Sequence, residues 1–206
     1  MKRSRGQMAM KFRYRGRGGY REGAGRPKKP DAGVPHVTRP ALAARHPVHV
    51  TTRVRPEVAQ LRSRQCFRVV ASCIGKVHER DGFRVVHFTV QSNHLHLIAE
   101  ARDATALARG VQALSIRIAR AVNRVLGRRG PVFADRYHAH ALRTPTETAN
   151  AIAYVLGNSH IHAARRGHPI RLDAIDPLSS SANRQLVAQP HTWLLRIGWT
   201  LGLPGG

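Results

Sequence analysis

Residues Asn93-His94-Leu95-His96-Leu97 alternate imidazole with leucine, and this short run constrains the fold more than any other in the chain. In an extended strand successive side chains point to opposite faces, so Leu95 and Leu97 share one face and His94 and His96 the other. The leucines need a core built against helices, while the imidazoles project together from the far side. At that separation the two rings suit a single metal ion. They also suit a pair of solvated strand histidines in a chain with 13 histidines. The pair alone leaves both readings open.

The flanking sequence supplies the rest of such a sheet. From His46 onward, Val48, Val50 and Thr52 alternate with His49, Thr51 and Arg53, predicting a first strand. Pro56 is expected to open a helix to about Glu79, with Val58, Leu61, Val69, Val70 and Ile74 among its apolar positions. Cys66 and Cys73 fall two turns apart on one face of it and read as small buried hydrophobes, with no disulfide scaffold implied. Asp81-Gly82 signals a turn before a strand over Phe83–Val90, and the polar break Gln91-Ser92-Asn93 separates it from a partner over Leu95–Ala99. A long helix is expected from Ala104 to Leu126, because Leu107, Val111, Leu114, Ile118, Val122 and Val125 recur at intervals of three and four. Gly127–Gly130 closes it, and a strand from about His138 to Arg143 follows.

The last helix has an explicit start. Thr144 is its N-cap, Pro145 takes the first helical position and Glu147 completes a capping box; its end is expected at about Asn158 or a little beyond. The order β-α-β-β-α-β-α predicts an α+β fold, an antiparallel sheet with packed helices. The chain divides into a basic tail over 1–45, a domain over 46–168 and a C-terminal extension over 169–206, in which a Trp193–Trp199 segment is expected to dock irregularly.

Charge decides the class of partner. Lys and Arg total 35 against 11 Asp and Glu, a formal net charge of +24, far more than solubility requires and suited to a polyanion such as nucleic acid. Residues up to about Pro40 hold too few aliphatic side chains to offset the entropy of ordering and are expected to be disordered. Within them Gly25-Arg26-Pro27-Lys28-Lys29-Pro30 looks like an AT-hook, a segment whose Arg26 would enter a narrow minor groove beside Lys28 and Lys29; plain phosphate attraction serves the same residues. No segment has the roughly 18 uninterrupted apolar residues of a membrane span, and no apolar run of a secretory signal follows the charged N-terminus. A cytoplasmic, nucleoid-associated protein is expected.

On the last helix Glu147, Asn150, Tyr154 and Asn158 lie three and four residues apart as a polar stripe, with Ile152 and Val155 on an apolar side. A helical tyrosine is commonly a core aromatic with its hydroxyl at the surface; alignment with amides and a carboxylate weakens that reading for Tyr154. These residues carry a resemblance. Ser92-Asn93-His94-Leu95-His96-Leu97 resembles the HUH motif of the single-tyrosine transposases, two histidines around a hydrophobic residue. Tyr154-Val155-Leu156-Gly157-Asn158 is similar to their Tyr-Ile-x-x-Asn helix segment, and Phe133-Ala134-Asp135-Arg136-Tyr137 to their Phe-x-x-Arg-Tyr stretch. Within that group the likeness is to REP-associated tyrosine transposase-like proteins, over about Pro47 to His162. The chain departs in having Ser159 after Asn158, where the family usually has proline.

The resemblance implies a ferredoxin-like HUH endonuclease architecture. It implies His94, His96 and Asn158 as ligands of Mg²⁺ or Mn²⁺, and Tyr154 as the nucleophile of a single-strand DNA endonuclease and strand transferase working through a 5′-phosphotyrosine at hairpin-forming DNA. Arg117, Arg124, Arg128, Arg129, Phe133, Arg136 and Tyr137 are candidate DNA contacts, Tyr137 through packing or base stacking beside its strand. The rival reading is a domesticated DNA-binding protein of the same fold that no longer cuts. Related transposases include homodimers that exchange the tyrosine helix and monomers that do not, so both states stay open.

Overall fold

The computed structural model describes residues 40–58, 60–165 and 175–203, the side chains of 158–165 excepted. The AT-hook-like residues Arg26, Lys28 and Lys29, and the side chain of Asn158, lie outside these. Among the described residues five strands form one sheet: β1 (Val48–Arg53), β2 (Glu79–Arg80), β3 (Phe83–Val90), β4 (His94–Ala101) and β5 (His138–Ala141), in the order β2-β3-β4-β1-β5. All four pairings are antiparallel. Four α-helices accompany them: α1 (Arg64–Gly75), α2 (Ala104–Val125), α3 (Pro145–Arg165) and the single turn α4 (Trp193–Arg196).

The expected plan is present, with one displaced element. The helix anticipated from Pro56 to Glu79 begins and ends elsewhere: Pro56–Val58 is only a 3-10 turn, and α1 starts at Arg64. The break lies at Gln60, whose φ of 88° leaves the helical region, and both Gln60 and Leu61 donate their N–H groups to the Ser92 carbonyl at 3.0 Å. Ser63 then caps the true helix, its Oγ accepting from Cys66 N at 3.3 Å. At the other end Glu79 and Arg80 pair with Arg84 and Phe83. The Asp81-Gly82 turn between them has positive φ at both residues, 49° and 74°, the type I′ geometry that matches the twist of a hairpin.

Alternation along β4 sorts the two faces. Leu95, Leu97 and Ala99 join Val48 and Val50 in a core closed by α1 and α2, where Val70, Ile74, Val111, Leu114, Ile118 and Val122 are buried. Ile98 points the other way, into a smaller cluster with Val86, Leu142, Ile152, Val155 and Leu195 under α3. A bulge between Val85 and His87 lets His87 pair with Ile98, and so brings both Val86 and His87 to the α3 face. Cys66 and Cys73 are buried and unbridged, as expected.

Helix α2 sits unusually close to the sheet at Gly110, where an added Cβ would stand 2.1 Å from the ring carbon Cγ of Phe83. Gly110→Ala is therefore expected to destabilise the fold by about 2 kcal/mol, because a buried ring must move from its packed position; the midpoint of urea unfolding measures this.

Helix α3 begins as anticipated. Thr144 Oγ1 accepts from Glu147 N at 3.1 Å, while the Glu147 carboxylate reaches one residue further back and accepts from Arg143 N at 2.7 Å. That bond holds the Glu147 carboxyl below the usual carboxylate range. Where a proline at 159 would have ended the helix, Ser159 lets α3 continue to Arg165.

The Trp193–Trp199 segment docks on the α3 cluster through Leu195 and Trp199, but as the turn α4 and the start of a 3-10 helix over Gly198–Gly202, not irregularly. Residues 178–188 run along the outer edge of β3, with backbone bonds Val90 N to Leu178 O, Ser180 N to Phe88 O and Ala188 N to Val85 O at 2.8–3.0 Å. Asp176, with its carboxylate fully buried, takes a two-pronged ion pair from Arg62 at 2.8 and 3.1 Å and a bond from Thr89 Oγ1 at 3.3 Å. Buried Glu100 accepts from the N–H groups of His191 and Thr192 ahead of α4.

Candidate active site

The α3 face of the sheet carries the polar half of each alternating strand. Along β4 these are His94 and His96; directly opposite on β1 stand Arg53 and Thr51, one to each, with His49 two residues further along. Beyond β1, His138 and His140 of β5 sit opposite Thr51 and His49. Helix α3 crosses this ground and lowers Tyr154 onto it, because Ile152 and Val155 anchor the helix through their burial beneath it.

The rings form a compact cluster. His94 and His96 lie with centroids 4.6 Å apart and planes perpendicular, and Tyr154 stands edge-on to His96 at 5.1 Å and to His49 at 5.8 Å. His96 is buried, His94 half-buried, and Tyr154 is 41% exposed, so the tyrosine is braced against the histidines while open to a substrate backbone. The structure thus brings His94, His96 and Tyr154 together.

Both ligand candidates are held at Nδ1. His94 Nδ1 lies 2.6 Å from Asn93 Oδ1. His96 Nδ1 lies 3.1 Å from Thr51 Oγ1 and 3.2 Å from His49 Nε2. Among the described residues no three His, Cys, Asp or Glu side chains form a cation cage. The candidate donors among the described side chains are the two imidazoles, which could hold a divalent ion and leave positions open for a phosphate.

Burial, and secondarily His140, push the His49 imidazole below its ordinary value, so it stands neutral beside His96. His87, further along the same face, is driven to about 4 by burial and then by Arg184. A histidine held neutral in the folded state binds its proton more readily when unfolded, so stability rises with pH between about 4 and the ordinary value of 6.5 and is lost as pH falls through that window. Replacing His87 by Gln is expected to flatten this slope, as followed by thermal unfolding at pH 7 and pH 4.5.

The candidate DNA contacts fall elsewhere. Arg117 and Arg124 are exposed on α2, and Arg129 and Arg136 in the loop after it. Arg128 is half-buried, with a 3.4 Å bond to the Pro131 carbonyl. None of these belongs to the Tyr154 cluster, and α2 covers the opposite face of the sheet. Phe133 bridges to Val54 by its backbone, and both Phe133 and Tyr137 pack against the α1–α2 core, which separates Tyr137 from the histidines. His49, Thr51 and Arg53 are site residues that local sequence reading passes over; their alternation was visible, but the register aligning them with His94 and His96 was not.

An antiparallel sheet with two histidines on a central strand, crossed by a helix that sets a tyrosine over them, defines the class of protein: an α+β fold with a histidine–tyrosine centre. The chain matches the IS200-like transposase family over residues 44–158 and belongs to it. Its fold is similar to that of a REP-associated tyrosine transposase solved bound to a REP hairpin, with a TM-score of 0.54 and 17% identity over 73% of this chain and 84% of that one. A candidate transposase from Deinococcus radiodurans R1 is also similar, with a TM-score of 0.41 and 12% identity over 66% of this chain and 98% of that one. No curated protein matches the sequence. Among the described residues no helix is long and apolar enough to cross a membrane.

Proposed function

We propose that this transposase-family protein is a metal-dependent single-strand DNA endonuclease and strand transferase that acts through Tyr154 at hairpin-forming DNA. The observation that carries the reading is Tyr154 standing edge-on to His96, 5.1 Å between ring centroids, with His94 4.6 Å beyond. Membership of the family and the hairpin bound by the structurally similar REP-associated transposase support it.

The Tyr154 hydroxyl gives up its proton and its oxygen bonds to phosphorus. The bond from phosphorus to the 3′ oxygen breaks, and that oxygen takes a proton and leaves as a 3′-hydroxyl. The 5′ end stays on the enzyme as a phosphotyrosine, and rejoining is the reverse attack by a 3′-hydroxyl, with no ATP required. Nε2 of His94 and His96 would hold Mg²⁺ or Mn²⁺, with Asn158 the third ligand that the family resemblance implies. When bound, that ion supplies positive charge against the scissile phosphate. Arg53, exposed opposite His94, is placed to steady the phosphate beside it. Arg117, Arg124, Arg128, Arg129 and Arg136, which lie away from the Tyr154 cluster, would attract phosphates remote from the cleaved one, with Arg26, Lys28 and Lys29 of the tail adding non-specific attraction.

An end-labelled single-stranded oligonucleotide carrying a hairpin from the DNA flanking this gene, incubated with Mn²⁺ and resolved on a denaturing protein gel, tests the reading. A covalent adduct that disappears with chelator supports it. Tight binding with neither adduct nor cleavage would leave a DNA-binding protein that no longer cuts.

A further inference from the structure

A histidine binds a cation through one ring nitrogen only when the proton sits on the other, so whatever hydrogen-bonds the far nitrogen selects the ligand form. The far nitrogens here have definite neighbours. Asn93 Oδ1 is an acceptor only and lies 2.6 Å from His94 Nδ1, so that nitrogen carries the proton. His96 Nδ1 meets two groups, Thr51 Oγ1 at 3.1 Å and His49 Nε2 at 3.2 Å, both capable of accepting. These two come from the adjacent strand: Thr51 is directly opposite His96 in the β1–β4 register, and His49 projects from the same side of β1. His49 touches the nucleophile as well, its ring standing edge-on to Tyr154 at 5.8 Å.

From this geometry we infer that His49 and Thr51, together with Asn93, are positioning residues that hold His96 and His94 in the Nδ1–H form and so turn both Nε2 atoms toward one divalent cation. The inference rests on the metal-dependent reading above and adds to it the groups that prepare the ligands. His49 and Thr51 share the task for His96, and His49 alone spans ligand and nucleophile. Loss of His49 therefore relaxes both the tautomer and the seat of Tyr154. Glutamine at this position can set an amide oxygen near the place of Nε2, whereas alanine removes one of the two acceptors and the contact with Tyr154.

The test uses the full-length protein in two measurements. In the metal-free state, long-range ¹⁵N–¹H correlation spectra report the tautomer of His96. Wild type and His49→Gln are expected in the Nδ1–H form, and the double variant His49→Ala, Thr51→Val in the Nε2–H form. In the second, Mn²⁺ binding is followed by electron paramagnetic resonance. His49→Ala is expected to bind about 10- to 100-fold more weakly than wild type, with His49→Gln within about 3-fold of it and all variants melting cooperatively. Wild type with His96 in the Nε2–H form, or His49→Ala binding Mn²⁺ as tightly as wild type, would overturn the inference. A correct tautomer pattern in a wild type that binds no Mn²⁺ would sink the metal reading while leaving the positioning network intact.

Discussion

Tyr154→Phe is expected to lower single-strand cleavage by about 10⁴-fold or more and to remove the covalent adduct, while DNA affinity stays within about 2-fold of wild type. Loss of a nucleophile removes the reaction's bond-forming atom, and such losses in other covalent enzymes reach this size. The phenyl ring keeps the edge contacts with His96 and His49 at 5.1 and 5.8 Å, so the geometry of α3 is preserved. Because Tyr154 is 41% exposed, its hydroxyl leaves no buried group unsatisfied when it goes, and the melting temperature should not move. Tyr137 serves as the control. Its ring packs on the α1–α2 side of the sheet, so Tyr137→Phe should retain the adduct. If Tyr154→Phe still formed adduct and Tyr137→Phe did not, the site would have to be redrawn.

The second large effect concerns stability. Arg62→Ala is expected to destabilise the protein by about 3 kcal/mol, because it strands a fully buried carboxylate at Asp176 without its counter-charge. For a chain of this size that lowers the melting temperature by about 6–12 °C. Asp176→Asn should cost less, about 1 kcal/mol, since the amide still fills the site and its one oxygen can still accept from Leu178 N, which bonds Oδ1. The comparison separates a charge effect from a packing effect, and differential scanning calorimetry of the two variants measures it. Equal losses in both would show that the pair is held for shape alone. The clasp also bears on the site: Thr89, which donates to Asp176, is the direct cross-strand partner of His96.

What could be read from the chain follows from how local each signal is. The alternation His94-Leu95-His96-Leu97 needs only a strand to sort its side chains, and both faces came out as expected. The start of α3 depends on Thr144, Pro145 and Glu147 within a single turn, and it too was legible, although the carboxylate went to Arg143 N. Tyr154 sharing a cluster with His94 and His96 was suggested by motif order. The beginning of α1 was not legible, because the chain is pulled out of helix at Gln60 by a carbonyl from residue 92, 32 positions away. Strand β2 has two residues and offers no period. His49, Thr51 and Arg53 escaped for a deeper reason: their importance lies in the β1–β4 register, which depends on pairing between segments over 40 residues apart. The polar stripe on α3 was legible too: Asn150 and Tyr154 are exposed and Ile152 and Val155 are buried, while Glu147 serves as the cap.

The C-terminal segment closes one side of the sheet. With β2 and residues 178–188 bonded along the outer edge of β3, the outer side of β5, where no strand pairs among the described residues, offers an additional strand a berth. That berth is short, and His138, Ala139 and His140 along it are all exposed. It is also the flank of the sheet whose histidines align with Thr51 and His49. A strand added there would therefore lie beside the tyrosine centre and become a wall of the site.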